Sequence, residues 1–276
     1  EGCDKFCKFC VVPYTRGSEH SRSISEILSE AKQLVENGSK EITLLGQNVN
    51  AYNFNNKKLS DLLFKLNEIK YLERIRYTTS HPKDVSEDLI DAHKNCEKLM
   101  PLLHLPVQSG STKILKNMNR DHTVEDYLEK INRLLEKKPT LKFSSDFIIA
   151  YPGETENDFN ETVNLLKKIE FINSYSFIFS PRPGTPASNM EKIEKNIAKE
   201  RLFLFQSIAN DIKKKYRKTL INSYAEVLFE NKIQNEKKYF GRDEFFNSVI
   251  VNSNENLIGK IKTVIIKECN QNTLFG

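Results

Sequence analysis

No stretch of this chain approaches the roughly 20 apolar residues that a membrane helix requires. No short apolar segment with a basic flank and a small-residue cleavage site opens it either. Both absences argue against a bilayer-spanning or secreted protein, and a cytoplasmic setting is expected. Cysteine is scarce too, with 5 in 276 residues, three of them crowded at one end. That pattern makes no even disulfide framework and suits a reducing compartment. The chain lacks an initial methionine and opens directly on the crowded cysteines, so a longer protein with further sequence upstream of Glu1 is expected. Negative charge is missing from one informative place. The run Lys213-Lys214-Lys215-Tyr216-Arg217-Lys218 carries five positive charges and no acidic residue, and without it the net charge of +5 would vanish. Such a run is either a solvated helix face or a footprint for phosphates.

What is present is concentrated at the start. Cys3, Cys7 and Cys10 are spaced C-x3-C-x2-C, and thiolates so spaced on one tight loop can converge on a single inorganic centre. Three ligands on a cubane of four irons would leave one iron without a protein ligand, open to a substrate or a second cofactor. Zinc is the alternative, with His20 near enough in sequence to serve as a fourth ligand. Structural zinc, however, usually draws on two separated ligand pairs, and here no second pair exists. Cys96 and Cys269 are isolated and read as small core hydrophobes.

The rest of the chain alternates. Ser23-Ile24-Ser25-Glu26 reads as a capping box before apolar residues at helical spacing, and Asn37-Gly38 ends that helix. The apolar run 42–45 follows as a buried strand. Helices over 59–69, 86–95, 124–137 and 155–169 then lead to strands over 75–79, 102–105, 143–149 and 175–179, and one long helix covers 193–216. Five strands separated by helices predict an α/β fold with a parallel sheet and right-handed crossovers, closed or nearly closed into a barrel. A sixth strand would lie before Glu1. In such sheets chemistry gathers at the carboxyl ends of the strands, and the segments there are polar and glycine-rich. Gln47, Gln108, Glu154 and Arg182 exceed what turn chemistry needs and are candidates to grip a ligand. From about Leu220, short alternating segments over 225–230, 245–251 and 258–266 predict a small all-β module, a five-stranded barrel of the kind that binds oligonucleotides. The expected division is 1–212 and 213–276.

Several segments together carry a family resemblance. They are the cysteine loop running on into Val11-Val12-Pro13-Tyr14-Thr15-Arg16-Gly17, then Thr43-Leu44-Leu45-Gly46-Gln47-Asn48-Val49-Asn50-Ala51-Tyr52, and Tyr77-Thr78-Thr79-Ser80-His81-Pro82. Further along come His104-Leu105-Pro106-Val107-Gln108-Ser109-Gly110-Ser111, Ser145-Asp146-Phe147 with Pro152-Gly153-Glu154-Thr155, and Tyr175-Ser176-Phe177-Ile178-Phe179-Ser180-Pro181-Arg182-Pro183-Gly184-Thr185. In this order, almost end to end, they resemble the radical SAM methylthiotransferases. The Gly46-Gln47-Asn48-Val49-Asn50 loop favours the members acting on prenylated adenosine over those acting on threonylcarbamoyl-adenosine in tRNA or on a ribosomal protein.

The resemblance implies a partial TIM-like (β/α)6 barrel followed by a TRAM-like RNA-binding barrel. It implies that Cys3, Cys7 and Cys10 bind a 4Fe-4S cluster whose fourth iron chelates S-adenosyl-L-methionine through its amino and carboxylate groups. Reductive cleavage would give a 5′-deoxyadenosyl radical, which takes hydrogen from carbon 2 of N6-dimethylallyladenosine beside the tRNA anticodon, and a methylthio group replaces it. Phe9 would pack near the adenine. Gln47, Gln108, Ser109 and Asp146 would meet the adenosylmethionine. Lys213, Lys214, Lys215, Arg217 and Lys218 would touch RNA phosphates, with Phe245 or Phe246 available for stacking. The implied partners are tRNA and an external electron donor of flavodoxin or ferredoxin type, and a monomer is expected. Family members also carry an N-terminal domain with a second 4Fe-4S cluster, absent from this chain, so the chain alone is not expected to complete the reaction. Ala150-Tyr151 departs from the Gly-Phe usual in the family. The rival reading is a zinc-stabilised, non-catalytic RNA-binding protein.

Overall fold

The computed structural model describes residues 1–234 and 236–276. Strands β1 (Glu41–Leu44), β2 (Arg74–Tyr77), β3 (Leu102–His104), β4 (Lys142–Ile149) and β5 (Asn173–Ile178) are the five expected from the apolar runs. β1 pairs with β2, and β3, β4 and β5 pair in turn, every ladder parallel. The two groups meet where Ile75 of β2 bridges Leu99, just ahead of β3. There the Ile75 N–H donates to the Lys98 carbonyl at 2.7 Å and the Met100 N–H to the Ile75 carbonyl at 3.0 Å. Each strand therefore neighbours the next in sequence. With the helices gathered on one face, that order is a partial TIM-like barrel.

Helices α1 (Ile24–Glu36), α2 (Leu59–Asn67), α3 (Glu87–Asn95), α4 (Thr112–Asn117), α5 (Val124–Lys137), α6 (Glu156–Ile169) and α7 (Lys195–Thr219) alternate with the strands. Reciprocal capping boxes start α1 at Ser23/Glu26, α5 at Thr123/Asp126 and α6 at Thr155/Asp158. They satisfy N–H groups that the first helical turn leaves without partners. Alternate strand residues point to opposite faces. Ile75, Leu103, Phe143, Phe147 and Ile149 enter one core with Leu62, Leu63, Leu66, Leu89, Ile131, Leu134 and Leu166 from the helices. Phe147 sits between Phe171 and Phe205, with ring centroids 5.6 and 4.7 Å away. The opposite, inner face carries Glu41, Thr43, Arg74, Arg76, His104, Ser144, Asp146, Tyr175 and Phe177.

Among the described residues the C-terminal module has six strands rather than the five expected: β6 (Tyr224–Lys232), β7 (Lys238–Arg242), β8 (Ser248–Asn252), β9 (Ile261–Ile265), β10 (Glu268–Cys269) and β11 (Thr273–Phe275). Their order is β9-β6-β7-β8-β11-β10, antiparallel except for the β8–β11 pair. Gly241 is required where β7 crosses β6, because a Cβ there would stand 2.4 Å from the Leu228 carbonyl oxygen. The division expected at 212/213 falls inside a helix. α7 runs unbroken to Thr219, and the first strand of the β-module opens at Tyr224.

Two arginines of β2 tie this module to the barrel. Arg74 donates to the carbonyls of Arg242 at 3.0 Å and Glu226 at 2.6 Å, and Arg76 to those of Glu244 and Asp243 at 2.9 Å each. The Arg76 Nε also lies 3.0 Å from the Glu41 carboxylate. Burying two guanidinium groups is tolerable only because nearly every donor finds an oxygen. Arg74 is 2% exposed. Replacing it with Met is expected to cost about 2–4 kcal/mol, since two carbonyls lose a charged donor. Urea denaturation measures this, and an unchanged midpoint would show that the parts dock without it.

Candidate metal centre at the strand mouth

The cysteine loop is fastened at both ends by backbone hydrogen bonds. The Cys3 N–H donates to the Gly17 carbonyl at 3.1 Å, and the His20 N–H to the Glu1 carbonyl at 2.7 Å. Gly2 lies between these two bonds with φ 73°, and a Cβ on it would fall 1.9 Å from the Ser18 carbonyl oxygen, so no other residue fits. The middle of the loop is held by the barrel. Lys8 N–H donates to the Met118 carbonyl at 2.9 Å, Ala187 N–H to the Lys8 carbonyl at 3.0 Å, and the Asn119 side-chain amide to the Phe6 carbonyl at 3.1 Å. Lys5 pairs with Asp84 at 2.8 Å, and Asn48 donates to the same carboxylate at 2.7 Å. Segments following β1, β2, β3 and β5 thus converge on the three cysteines, at the carboxyl ends of the strands.

Cys7 is buried, and Cys3 and Cys10 are partly so. Burial pushes the Cys3 and Cys10 thiols up, against backbone hydrogen bonds from Lys5 and Val12 that favour their ionised forms. The Cys7 Sγ accepts from the Arg120 guanidinium at 3.6 Å, and the same arginine donates to the Pro106 carbonyl at 2.6 Å. Of the three sulfurs, Cys7 thus has a side-chain donor aimed at it. Around them lie buried polar atoms without a protein partner: Asn48 Oδ1, Ser80 Oγ, His81 Nε2, Arg120 Nε and both ring nitrogens of His122. Buried polar groups are seldom left unpaired, and such a concentration marks a place built for a polar ligand.

The other expected site residues are placed as follows. Gln47 and Asn48 line a cavity of about 400 Å³ bordered by Gly2, His20, Leu45 and Tyr52. Gln108 takes the left-handed φ of 77° at the end of β3, its N–H on the Asp146 carbonyl and its own carbonyl accepting from Ile148. Ser109 does not offer its hydroxyl to the mouth. It is wholly buried, bonded to Thr162 Oγ1 at 3.3 Å and to the Ser111 N–H at 3.1 Å, and so braces α6 instead. Asp146 lies on the inner face, 3.5 Å from His104 Nε2. Phe9 packs against Ile114, Met118, Tyr151 and Phe179. Arg182 is exposed, whereas Glu154 is buried against Arg201 at 2.9 Å and accepts from the Ala150 N–H at 3.1 Å. Ala150 itself has φ 57°, which explains why glycine suits this position.

The basic run is not one patch. Helical periodicity separates its members around α7, so Arg217 is buried and bonded to the Asn270 carbonyl, while Lys213 is half-buried. Arg217 is thereby corrected from an RNA contact to a structural residue. Lys215 is exposed but paired with Glu170 at 2.8 Å, leaving Lys214 and Lys218 fully presented. Phe246 is exposed and lies under the Arg242 guanidinium at 4.2 Å, whereas Phe245 is in the same turn and partly covered. Sequence reasoning missed Arg120, His81 and His122, and also the exposed inner-face rings of Tyr175 and Phe177.

The sequence model described as the Radical SAM superfamily matches residues 1–166. The chain belongs to the radical SAM superfamily. Among curated relatives it is 56% identical to the tRNA-2-methylthio-N(6)-dimethylallyladenosine synthase of Pelagibacter ubique, over 100% of this chain and 63% of that protein. It is 48% identical to the protein of the same name from Wolbachia pipientis subsp. Culex pipiens, over 100% of this chain and 64% of that one. The chain thus spans less than two thirds of the length of these relatives. Among solved structures, a radical S-adenosylmethionine methyltransferase, TsrM, from Kitasatospora setae superposes with a TM-score of 0.56 at 16% identity, over 68% of this chain and 37% of that one. Methylornithine synthase superposes with a TM-score of 0.54 at 14% identity, over 77% and 60%. At such identities the likeness concerns the fold alone.

Membership of the radical SAM superfamily implies a 4Fe-4S cluster and S-adenosylmethionine, and the residues present fit them. Three cysteines on one clamped loop, one of them bonded by a guanidinium, match a centre whose properties are tuned by hydrogen bonds to sulfur. Among the described residues, no three His, Cys, Asp or Glu side chains are grouped to hold a single ion.

Burial pushes the Glu154 carboxyl up to about 7, against the opposing pull of Arg201. Since that lies above the ordinary value of about 4.3, the carboxyl's contribution to stability is complete below about pH 4.3 and is lost as pH rises through about 7. The stability of the native chain relative to Glu154→Gln is expected to fall between pH 5 and pH 8. Urea midpoints across that range test it, and a constant difference would mean that Arg201 outweighs burial.

Proposed function

We propose that this chain is the radical SAM and RNA-binding portion of an enzyme that places a methylthio group on carbon 2 of N6-dimethylallyladenosine in tRNA. The observation that carries the reading is the clamped three-cysteine loop at the strand mouth, with Arg120 on the Cys7 sulfur, in a chain 56% identical to a relative bearing that activity in its name. When bound, the cluster and adenosylmethionine supply a strongly hydrogen-abstracting organic radical. The chain's own residues do the rest. Cys3, Cys7 and Cys10 hold the cluster, Gln47, Gln108 and Asp146 face the adenosylmethionine, and Phe9 backs its adenine. Ser109 contributes by bracing the Gln108 loop.

The inner face supports a nucleobase substrate. Tyr175 is 52% and Phe177 63% exposed, side by side on β5, with Asp146 and His104 on the adjoining strands. Exposed rings beside a carboxylate suit an unpaired base, which stacks and donates from its edge. Lys214 and Lys218, at the end of α7 beside the small β-module read as TRAM-like, would grip the RNA. A second 4Fe-4S cluster on a further domain, a flavodoxin-type or ferredoxin-type electron donor, a monomeric state and a cytoplasmic setting complete the proposal. Among the described residues no helix is long and apolar enough to cross a membrane.

Anaerobic reconstitution with iron and sulfide is expected to give one oxygen-sensitive cluster that, with dithionite, converts adenosylmethionine to 5′-deoxyadenosine. Cys7→Ala should lose both properties. Stoichiometric zinc with no iron uptake would refute the reading. For RNA, replacing Lys214 and Lys218 with Gln is expected to reduce the slope of log affinity against log salt by about 2, as two phosphate contacts are lost. Titration with an anticodon stem-loop checks this, and an unaltered slope would return both lysines to the solvated helix face.

A further inference from the structure

Arg120 is a buried cation without a carboxylate. It is 8% exposed, and its donors reach only the Pro106 carbonyl and the Cys7 sulfur, with Nε unpartnered. The neighbouring cations are otherwise arranged. Lys5 is matched by Asp84 and Lys83 by Asp121, and no ion pair among the described residues involves Arg120. The titratable side chains closest to it cannot supply a negative charge. His81 and His122, whose rings meet edge to face at 5.6 Å, are held neutral by burial first and by the Arg120 charge second. A guanidinium removed from water without a counter-ion is costly, and the sulfur it touches belongs to a centre that would be anionic once assembled.

We infer that Arg120 is the charge partner of the iron–sulfur cluster, hydrogen-bonded to its Cys7 ligand and holding the cluster's reduction potential up. The inference rests on the reading that Cys3, Cys7 and Cys10 carry that cluster. Its physical basis is direct. Adding an electron makes the centre more negative, and a nearby cation in a weakly screened interior stabilises the reduced form more than the oxidised one. The planar fork of arginine matters as well, because it reaches a carbonyl and a sulfur at once, which an ammonium group cannot do in the same geometry. Arg120 is therefore a positioning residue that acts through a cluster ligand.

The test is potentiometric titration of the reconstituted protein, followed by electron paramagnetic resonance and made without adenosylmethionine so that no contact with that ligand contributes. Arg120→Gln is expected to hold a cluster with a midpoint more negative than the native one, and Arg120→Lys one that lies between them. Equal midpoints in the native protein and R120Q overturn the inference. Should R120Q bind no cluster, R120K decides through resonance Raman: altered Fe–S(Cys) stretching frequencies support the hydrogen bond, and an unaltered spectrum with an unaltered midpoint overturns it. A native protein that takes up no cluster at all would instead overturn the functional reading beneath it.

Discussion

Three sulfurs must be held close enough to share one inorganic centre and yet be kept from collapsing into an ordinary apolar core. Everything at the mouth of the barrel answers to that constraint. A loop of this kind has little secondary structure of its own, so its shape is imposed by bonds to Met118, Ala187, Gly17 and Glu1. Gly2 permits the two ends to approach, and Phe6 adopts a left-handed φ of 47° between two of the cysteines. Thiolates gathered in this way also need compensating donors, and the Arg120 guanidinium supplies one at Cys7. The sheet contributes position rather than chemistry.

The inner face is graded from one end of the strands to the other. At the amino ends, Glu41, Arg74 and Arg76 form a buried polar lock with the backbone of the β-module. Nearer the carboxyl ends come His104, Ser144 and Asp146, then the exposed rings of Tyr175 and Phe177. A polar lock of this type is directional, because each guanidinium donor must meet a particular carbonyl. It fixes the orientation of the module on the barrel more firmly than an apolar contact of equal area would. RNA held on the module would then stand at a set distance from the sulfur centre, and α7, continuous from Lys195 to Thr219, adds a second rigid link.

The barrel was legible in the sequence because buried parallel strands read as short apolar runs between amphipathic helices, and capping residues mark where each helix starts. The cysteine triplet was legible because its spacing carries its chemistry. Direction was not. Ser109 and Arg217 have the right chemical type but point inward, a fact that depends on how α6 and the β-module pack rather than on local pattern. The basic run suggested a domain edge, yet lysine and arginine are good helix formers and simply extend α7. β7, β10 and β11 escaped notice because Lys238–Arg242 mixes charge with aromatics around Gly241, while Glu268–Cys269 and Thr273–Phe275 are only two and three residues long. Arg120 escaped because it follows α4, not a strand, and no acidic partner draws attention to it.

Backbone strain gives one further sign of where this molecule is specialised. Thr79, Gln108 and Ala150, which follow β2, β3 and β4 in turn, all have φ between 57° and 77°. A left-handed conformation costs such residues on the order of 1 kcal/mol each, and for a β-branched threonine it is decidedly unusual. The strain persists because each turn redirects hydrogen bonds into the mouth. The Thr79 carbonyl accepts from Val49 at 2.8 Å, Gln108 exchanges bonds with the β4 backbone, and the Ala150 N–H reaches the buried Glu154 carboxylate. Consecutive strand ends are thereby stitched together through the main chain. Side chains such as Gln47, Gln108 and Asp146 are left free of that structural duty, as residues that must grip a ligand need to be.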